Sequence, residues 1–497
     1  MLSVISEAFL MIIQPSGLLA LAIGLTIGLI VGVVPGIGGP FALALLLPLC
    51  FNMDPVFGVI MMVSIVSSVV TGGSVTAILV GIPGTPPNAA QMLDGYPMMK
   101  NGEGGRALGA CMMASALGGI VGALSLMVFI PFMRPLILTF GHPELFAISA
   151  FGLTFVAILS DGRMIRAFLA TILGIIMSLV GMNPLTGVPR FDMGILYLVD
   201  GIGLIPVCLG LFALPEILDI YLGREKPVAK MELSGLRSDI IKGVKDVFIH
   251  WPLFLRTTLI GVLVGFIPGL GGETASFIAY GHAKQSSKDP DSFGHGNKEG
   301  VIGVSAALMA KEGGSLVPTL GFGIPGSVIL AIFMGALIVL GYQPGPAMLS
   351  SNATVIQLMA LLTAIANVLA AFLCLLAAKP LLRMATVRQG VLLPWVFMFI
   401  MIGAYIPSRS FGDVILTMVC GVIGFFMKEY HYPRIGVLLG LVLTHQMELN
   451  YFMGMEFFGV AMFLRPVVLV MIAITVITLL HDYLKRKKRN KKEAVAA

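Results

Sequence analysis

Charged side chains are scarce in this sequence, at 11% of 497 residues, against roughly a quarter in a soluble domain. Hydrophobic residues make up 57% and the mean hydropathy is +0.99, so the apolar stretches are longer than a soluble core can bury. Because a membrane-spanning helix needs about 20 apolar residues, the chain has room for about 11–14 hydrophobic helices. The composition excludes an ordinary soluble enzyme and predicts an all-α integral membrane protein.

Three further features are absent from the sequence, and each argues against one kind of protein or segment. No lysine or arginine occurs in the first 99 residues, so the basic start of a secretory signal is missing and we expect this segment to stay on the mature chain. The five cysteines are far apart without a CxxC pair and are expected to be small buried hydrophobes. No GxxxxGK[ST] motif occurs, which argues against a primary pump with its own nucleotide site.

The basic residues predict the topology, because they lie between apolar runs and at the end of the chain. Residues 481–497 form a basic tail, which we assign to the cytoplasm. Residues 223–250 are assigned to a cytoplasmic connecting loop that carries six basic residues: Arg224, Lys226, Lys230, Arg237, Lys242 and Lys245. Counting apolar runs between these points places 343–353 outside and 94–106 inside.

Two motif pairs reveal an internal repeat. GLIVGVVPGIGGP (28–40) recurs as GVLVGFIPGLGGE (261–273), and GGSVTAILVGIPG (72–84) recurs as GGSLVPTLGFGIPG (313–326) with one extra residue. By the charge count the copies run in opposite directions, which predicts two inverted repeats with broken or re-entrant Gly/Pro-rich segments. This pattern is typical of secondary transporters.

The repeat also sets the predicted domain boundaries. The first repeat is expected to cover 1–222, with a core of about 17–105 and peripheral helices over 106–222. The second is expected to cover 251–480, with a core of about 251–342 and peripheral helices over 354–480.

Breaks at membrane depth free backbone carbonyls for a cation, and a resumed half-helix offers N–H donors to a carboxylate. We therefore predict a substrate and cation site at the glycine-rich motifs and the polar residues beside them. In the first copy it comprises Gly36, Gly38, Gly39, Gly72, Gly73, Ser74, Gly81, Pro83, Gly84 and Thr85. In the second copy it comprises Gly269, Gly271, Gly272, Glu273, Thr274, Lys311, Glu312, Gly313, Gly314, Ser315, Gly323, Pro325, Gly326 and Ser327.

Three charged members of this set suggest specific roles. Glu273 is a candidate cation ligand or proton carrier, and Lys311 a candidate partner for a substrate carboxylate. Neighbouring helical residues point about 100° apart, so we expect direct pairing of Lys311 with Glu312 to be awkward. The alternative is that the charges sit at a wet hairpin mouth, while the glycines serve packing and the hydroxyls bond to their own helices.

These motifs resemble a known family, the large membrane subunit of the tripartite tricarboxylate transporters (TctA family). The resemblance rests on PGIGGP (35–40), GGSVTAILVGIPGTP (72–86), LDGYPM (93–98), GRALG (105–109), PGLGGE (268–273) and GGSLVPTLGFGIPGS (313–327). It implies a permease for organic carboxylates in the bacterial cytoplasmic (inner) membrane, coupled to Na+ or H+ and using no cofactor. It also implies two partners, a small TctB-like membrane subunit and an extracytoplasmic TctC-like solute-binding protein, and places the substrate and cation sites at the paired glycine-rich regions.

Two other classes remain as alternatives. A passive channel would show uptake that cannot proceed against a gradient. An intramembrane aspartyl protease needs two membrane aspartates, one of them in a GxGD setting, whereas Asp200 precedes its glycines in the wrong order and no partner motif occurs. We therefore do not expect an enzyme.

Overall fold

The computed structural model describes residues 2–34, 38–138, 140–158, 164–183, 185–222, 236–267, 271–378, 380–381, 389–406, 408–473 and 475–476. The helices in the first part of the chain are α1 (Leu2–Ile13), α2 (Pro15–Val33), α3 (Gly39–Leu46), α4 (Pro55–Leu79), α5 (Ala89–Lys100), α6 (Gly104–Leu138), α7 (His142–Ile158), α8 (Met164–Ser178), α9 (Leu196–Val199), α10 (Leu204–Cys208) and α11 (Leu214–Tyr221). Those that follow are α12 (Leu236–Ile249), α13 (Trp251–Gly265), α14 (Gly271–Ser286), α15 (Lys298–Phe322), α16 (Val328–Val339), α17 (Pro346–Ser351), α18 (Ala353–Leu376), α19 (Gln389–Tyr405), α20 (Phe411–Glu429) and α21 (Arg434–Phe458).

Short 3-10 segments cover Leu47–Asn52, Pro86–Asn88, Pro290–Ser292 and Gly459–Leu464, and a π-helical turn covers Leu209–Ala213. The described strands are β1 (Gly181–Met182) and β2 (Pro189–Arg190), which pair antiparallel. The predicted all-α class is therefore confirmed.

Among the described residues, five helices are long and apolar enough to cross a membrane, and the count reaches seven if each of two bent pairs is one span. Five shorter apolar helices of 10–17 residues accompany them. Helix α4 is 89% buried over its most apolar window, so protein rather than lipid surrounds it. The chain is a multi-pass membrane protein.

Local chemistry explains where the long helices begin. Helix α4 starts with Pro55, and the Asp54 carboxylate accepts a hydrogen bond of 3.0 Å from Phe57 N–H, satisfying one N–H that the helix leaves free. Helix α15 starts behind Asn297, whose side chain accepts from Glu299 N–H at 2.7 Å. Helices α4 and α15 each contain 25 residues.

Within the segment 223–250, Leu236–Ile249 forms the helix α12, and the cytoplasmic position of the segment stays a prediction. The helix forms because α6 provides a surface for its small and apolar residues. Val247 is fully buried, and a Cβ on Gly243 would collide with Arg106 O. Residues 223–235 and the tail 481–497 lie outside the described residues.

Packing divides the chain into two compact units, each of which joins separate stretches of sequence. The first contains Met1–Arg134 and Glu216–Pro407, and the second contains Pro135–Pro215 and Ser408–Ala497. In the second unit, the Arg190 guanidinium contacts the Glu448 carboxylate through two hydrogen bonds of 2.5 Å. All four glycine-rich breaks belong to the first unit.

Within the first unit the two copies use the same helix packing. Gly28 and Gly32 of α2 lie against the backbone of α4 at Ile65 and Val69. Gly261 and Gly265 of α13 lie against α15 at Ala307 and Lys311. Small residues of this kind let membrane helices approach closely.

Helices α4 and α15 cross in an antiparallel manner. Thr71 Oγ1 lies 3.7 Å from Met309 Sδ, and farther back along α4, Val63 lines one cavity with Leu316 of α15. Moving from the first contact to the second, the residue number falls along α4, from 71 to 63, and rises along α15, from 309 to 316. An antiparallel crossing is the arrangement that inverted copies require.

Candidate functional site

The structure interrupts the chain at each of the four glycine-rich motifs. Helix α2 ends at Val33 and α3 begins at Gly39, and α13 ends at Gly265 before α14 begins at Gly271. Gly36 and Gly269 lie outside the described residues. The GIPG motifs follow the ends of α4 and α15. The helices thus break at the predicted positions.

The two GIPG turns share one conformation. Gly81 has φ +73° and Gly323 has φ +70°, values that a residue with a Cβ rarely adopts. Ile82 N–H donates to Thr76 O at 3.4 Å, and Ile324 N–H donates to Pro318 O at 3.3 Å. Pro83 and Pro325 follow and prevent the helices from continuing.

Each first break packs against the second break of the other copy. A Cβ on Gly39, the first residue of α3, would collide with Ile329 Cδ1 in the first turn of α16. A Cβ on Gly272 in α14 would lie 3.0 Å from Pro87 Cβ, which follows the first GIPG motif. The structure therefore brings together the predicted site residues of the two copies in two reciprocal contacts.

The GGS motifs lie in helix interiors, and their alignment shifts by one residue from the sequence match. A Cβ on Gly84 would lie 2.5 Å from Gly73 Cα, and one on Gly326 would lie 2.6 Å from Ser315 Cβ. Gly73 is thus the equivalent of Ser315, at an offset of 242 residues that also holds for the GIPG motifs. The extra residue of the second copy consequently precedes Gly314.

Close packing explains most of the predicted GGS glycines. Gly72 faces Leu29 of α2, Gly314 faces Val262 of α13, and Gly313 faces Gly122 of α6. These residues are buried, and a Cβ at each would lie within 3.0 Å of a backbone atom of the neighbouring helix. They hold the helices together beside the breaks.

A buried polar cluster follows the first GIPG turn. Asn88 Nδ2 lies within hydrogen-bonding distance of three acceptors, Val70 O at 3.0 Å, Ser74 Oγ at 3.0 Å and Gln91 Oε1 at 2.9 Å, which share its two N–H donors. The Thr85 hydroxyl donates to Asn88 Oδ1. Ser74 and Thr85 were predicted as site residues, and both contact Asn88 in this cluster.

The cluster continues into the second copy through residues that the sequence prediction missed. Gln91 Nε2 donates to Ser305 Oγ at 3.0 Å, and Ser305 Oγ donates to Cys111 Sγ at 3.2 Å. All three side chains are buried. Polar residues at i and i+3 after the break, Asn88 and Gln91, were the available sequence signal.

In the second copy the equivalent turn is followed by apolar residues. Ser327 caps α16 by accepting from Leu330 N–H at 3.4 Å, and Gly326 N–H donates to Thr319 Oγ1 at 3.3 Å. Leu330 and Phe333 stand where Asn88 and Gln91 stand in the first copy. The two copies are thus chemically unequal after their GIPG turns.

Lys311 and Glu312 form a buried ion pair, which corrects the expectation that adjacent helical residues would not pair. Lys311 Nζ lies 3.1 Å from Glu312 Oε1, with Lys311 1% and Glu312 4% exposed. The long lysine side chain can fold back across the angle between the two Cβ directions. The pair is deeply buried, so the alternative of a wet hairpin mouth is wrong for these two residues.

A small cavity adjoins Glu312. It is lined by Val63, Val66, Ser67, Glu312, Leu316, Leu330, Phe333 and Thr363, and its volume is about 10 Å³, the space of about one water molecule. Glu312 Oε2 has no hydrogen-bond partner among the described residues.

This cavity and the polar cluster occupy equivalent places in the two copies. Cys374 Sγ donates to Thr71 O in one copy, and Gly122 contacts Gly313 in the other, so α18 is the equivalent of α6 at an offset of 252 residues. Each residue that lines the cavity has an equivalent in the other copy. With the cavity residue named first, the pairs are Val63 and Ser305, Val66 and Leu308, Ser67 and Met309, Glu312 and Val70, Leu316 and Ser74, Leu330 and Asn88, Phe333 and Gln91, and Thr363 and Cys111.

The remaining predicted residues lie on α14. Glu273 and Thr274 are in its first turn, where Glu273 is exposed. Ser276, which is buried, donates from its hydroxyl to Glu273 O at 2.7 Å. Glu273 is thus exposed, whereas the charges of α15 are buried.

Asp94, which was not among the predicted site residues, binds the loop that precedes α15 in the second copy. Its Oδ1 accepts from the backbone N–H groups of Gly294, Gly296 and Asn297 at 2.8–3.0 Å. Burial raises the pKa of the neighbouring Tyr280 phenol, and the negative charge of Asp94 raises it further. Tyr280 consequently stays protonated at neutral pH.

Within the described part of the chain, no group of three or more His, Cys, Asp or Glu side chains could hold a metal ion.

Comparison with known proteins identifies the family. The sequence matches the model of the tripartite tricarboxylate transporter TctA family over residues 18–439. It is 32% identical over 451 residues to the Agrobacterium vitis "uncharacterized 52.8 kDa protein in TAR-I ttuC' 3'region", covering 90% of this chain and 89% of the relative. No solved structure matches it. The chain belongs to the TctA family, a family of membrane transporter components, which confirms the resemblance inferred from the motifs.

A second relative from the same organism matches a smaller part. It is the "uncharacterized protein in TAR-II ttuC' 3'region", 34% identical over 188 residues, or 38% of this chain and 78% of the relative.

Proposed function

We propose that this chain is the permease subunit of a tripartite secondary transporter that takes up an organic carboxylate by cation-coupled symport. A TctC-like extracytoplasmic binding protein delivers the substrate, and a TctB-like small membrane subunit completes the complex in the bacterial cytoplasmic (inner) membrane. The coupling cation is Na+ or H+. Membership of the TctA family supports the transport role and the presence of both partners.

The reciprocal packing of the four breaks is the observation that carries this proposal. Each break joins a half-helix of one copy to the other copy, at Gly39 with Ile329 and at Gly272 with Pro87. Discontinuous helices that meet at the interface of inverted repeats form the binding sites of many secondary transporters. The same interface can change shape when one copy moves against the other.

The half-helices supply the chemistry of binding. The first turns of α3 and α14 present N–H groups and the positive end of a helix dipole to an anion. Glu273 adds a carboxylate to the first turn of α14, whereas its equivalent in α3 is Pro40. This difference makes the two first breaks chemically unequal.

Uptake into proteoliposomes tests the proposal. The chain is reconstituted with both partner subunits, and radiolabelled acetate, succinate and citrate are supplied with imposed sodium and pH gradients. We expect uptake of at least one carboxylate, and its loss when either partner is omitted. Equal uptake by the chain alone would contradict the tripartite mechanism.

A further inference from the structure

Glu312 has one oxygen in an ion pair and one without a partner. Its Oε1 lies 3.1 Å from Lys311 Nζ, while Oε2 makes no hydrogen bond. The residue is 4% exposed. An unpartnered carboxylate oxygen is costly to bury, and an ionisable group within a membrane protein is by default a functional candidate.

The cavity beside Glu312 is sized for a water molecule and carries two hydroxyl groups. Its volume is about 10 Å³, and Ser67 of α4 and Thr363 of α18 contribute its hydroxyls. The elements that face Glu312 across it, α4, α16 and α18, contribute no titratable side chain to its described lining. Lys311, on the same helix, is the charge that Glu312 contacts.

The equivalent place in the other copy shows what a satisfied arrangement looks like. There the amides of Asn88 and Gln91 fill the space and bond to one another. On the cavity side Leu330 and Phe333 replace them, so no side-chain amide reaches Glu312 Oε2. The void beside a buried carboxylate is therefore specific to the copy that carries the buried charges.

We propose that Glu312 carries the coupling proton and that its protonation turns Lys311 into the binding site for a substrate carboxylate. This inference rests on the proposed transport function and assigns H+ as the coupling ion. With Glu312 ionised, the pair is neutral and Lys311 is satisfied. A proton taken up at Oε2 cancels the carboxylate charge, and the buried ammonium then requires another anion.

The substrate carboxylate restores neutrality beside Lys311, so proton and substrate each strengthen the binding of the other by thermodynamic linkage. On the cytoplasmic side the substrate leaves, Glu312 returns its proton to water, and the Lys311 ion pair forms again. One proton thus enters with each substrate, and no bond other than the O–H bond of Glu312 is made or broken.

The same geometry argues against a metal cation at Glu312. An ammonium group 3.1 Å from the carboxylate repels a second cation. A proton needs only the free oxygen. Glu273, by contrast, is exposed, whereas Lys311 and Glu312 are buried.

The test compares uphill accumulation with exchange in proteoliposomes that contain the complete complex. The probe is whichever of acetate, succinate and citrate the wild type takes up fastest. We expect Glu312→Gln to lose at least about tenfold of the accumulation driven by a pH gradient, while exchange across the membrane stays within about twofold of wild type. Exchange survives because the permanently neutral side chain still leaves Lys311 for the carboxylate.

Glu299→Gln is the matched control, because Glu299 lies on the same helix and pairs with His250 at 3.2 Å but does not line the cavity. It should keep accumulation within about twofold. Undiminished pH-driven accumulation in Glu312→Gln would overturn the inference, as would loss of exchange to the same extent as accumulation. No uptake by the wild type would instead refute the proposed function.

If Glu312→Gln does not yield folded protein, the double variant Lys311→Met with Glu312→Gln decides, since removing both charges avoids leaving one buried alone. If Lys311 and Glu312 form a purely structural ion pair, the double variant should still accumulate substrate in response to a pH gradient, and this result would overturn the inference. We expect its uptake to be independent of that gradient.

Discussion

Alanine at Gly38 and Gly271 distinguishes a ligand site at the first breaks from a role in packing alone. A Cβ on Gly38 would meet only Pro40 Cδ, at 3.6 Å, and one on Gly271 would meet nothing within 4 Å. Neither methyl group would collide with an atom of the described residues. If substrate or cation approaches the backbone here, the methyl group occupies the ligand's space.

The two substitutions should change stability in opposite directions. Gly38 has φ −78° and ψ 175°, which alanine adopts freely, so the loss of unfolded-state entropy should stabilise by about 0.4–1 kcal/mol. Gly271 has φ +69°, where a Cβ costs about 1–2 kcal/mol. Thermal unfolding in detergent measures both shifts.

Transport should fall in both variants regardless of stability. Loss of a hydrogen bond to a charged ligand costs about 1.5–3 kcal/mol, so we expect the uptake rate at low substrate concentration to drop by about tenfold or more. Valine at either position should abolish uptake without preventing membrane insertion. The assay is uptake by the reconstituted complex.

Two other glycines provide controls. Gly281 lies within α14 with open space around it, so alanine there should stabilise by about 0.5–1 kcal/mol and leave uptake unchanged. Gly32 faces Val69 O, so alanine there should destabilise the protein. Normal uptake in both Gly38→Ala and Gly271→Ala, or uptake that merely follows stability, would refute the ligand-site reasoning.

Three further predictions concern the buried charges, the polar cluster and the topology. Lys311→Met should destabilise by about 3–5 kcal/mol because it leaves Glu312 buried and unpaired, and should raise the half-saturating substrate concentration about tenfold; a thermal midpoint and uptake both unchanged would remove Lys311 from the site. Asn88→Leu should cost about 2–5 kcal/mol in thermal unfolding because its bonded partners lose their donor, and no loss would show the cluster to be dispensable. A cysteine near Gln343 should react with an impermeant thiol reagent from outside and one near Ser234 only from inside, and labelling of both from one side would contradict the inverted topology.

The sequence predicted the breaks because their causes are local. Proline removes a helical hydrogen bond and Gly81 and Gly323 accept positive φ, so the motifs end helices wherever they occur. The all-α class could likewise be predicted, because the hydropathy of a membrane-spanning helix is a property of its own local sequence. Helix α12 was missed because its apolar residues alternate with charged ones and its stability depends on contact with α6.

The composition of the site was less accessible, because it depends on contacts between distant segments. Gln91 bonds to Ser305 across 214 positions, and nothing in either local sequence specifies the other. The pairing of Lys311 with Glu312 was misjudged from Cβ directions alone, which neglect the reach of a lysine side chain. A single inserted residue likewise hid the equivalence of Gly73 and Ser315.

Accumulation against a gradient is the most direct test of the central claim. The complex of this chain with its two partner subunits is reconstituted in proteoliposomes, and the internal concentration of a radiolabelled carboxylate is followed under a sodium gradient, a pH gradient or neither. We expect the internal concentration to exceed the external one under at least one gradient, and to fall to equality when an ionophore removes it. Simple equalisation under every condition, with the binding protein present, would contradict coupled transport and indicate a passive channel.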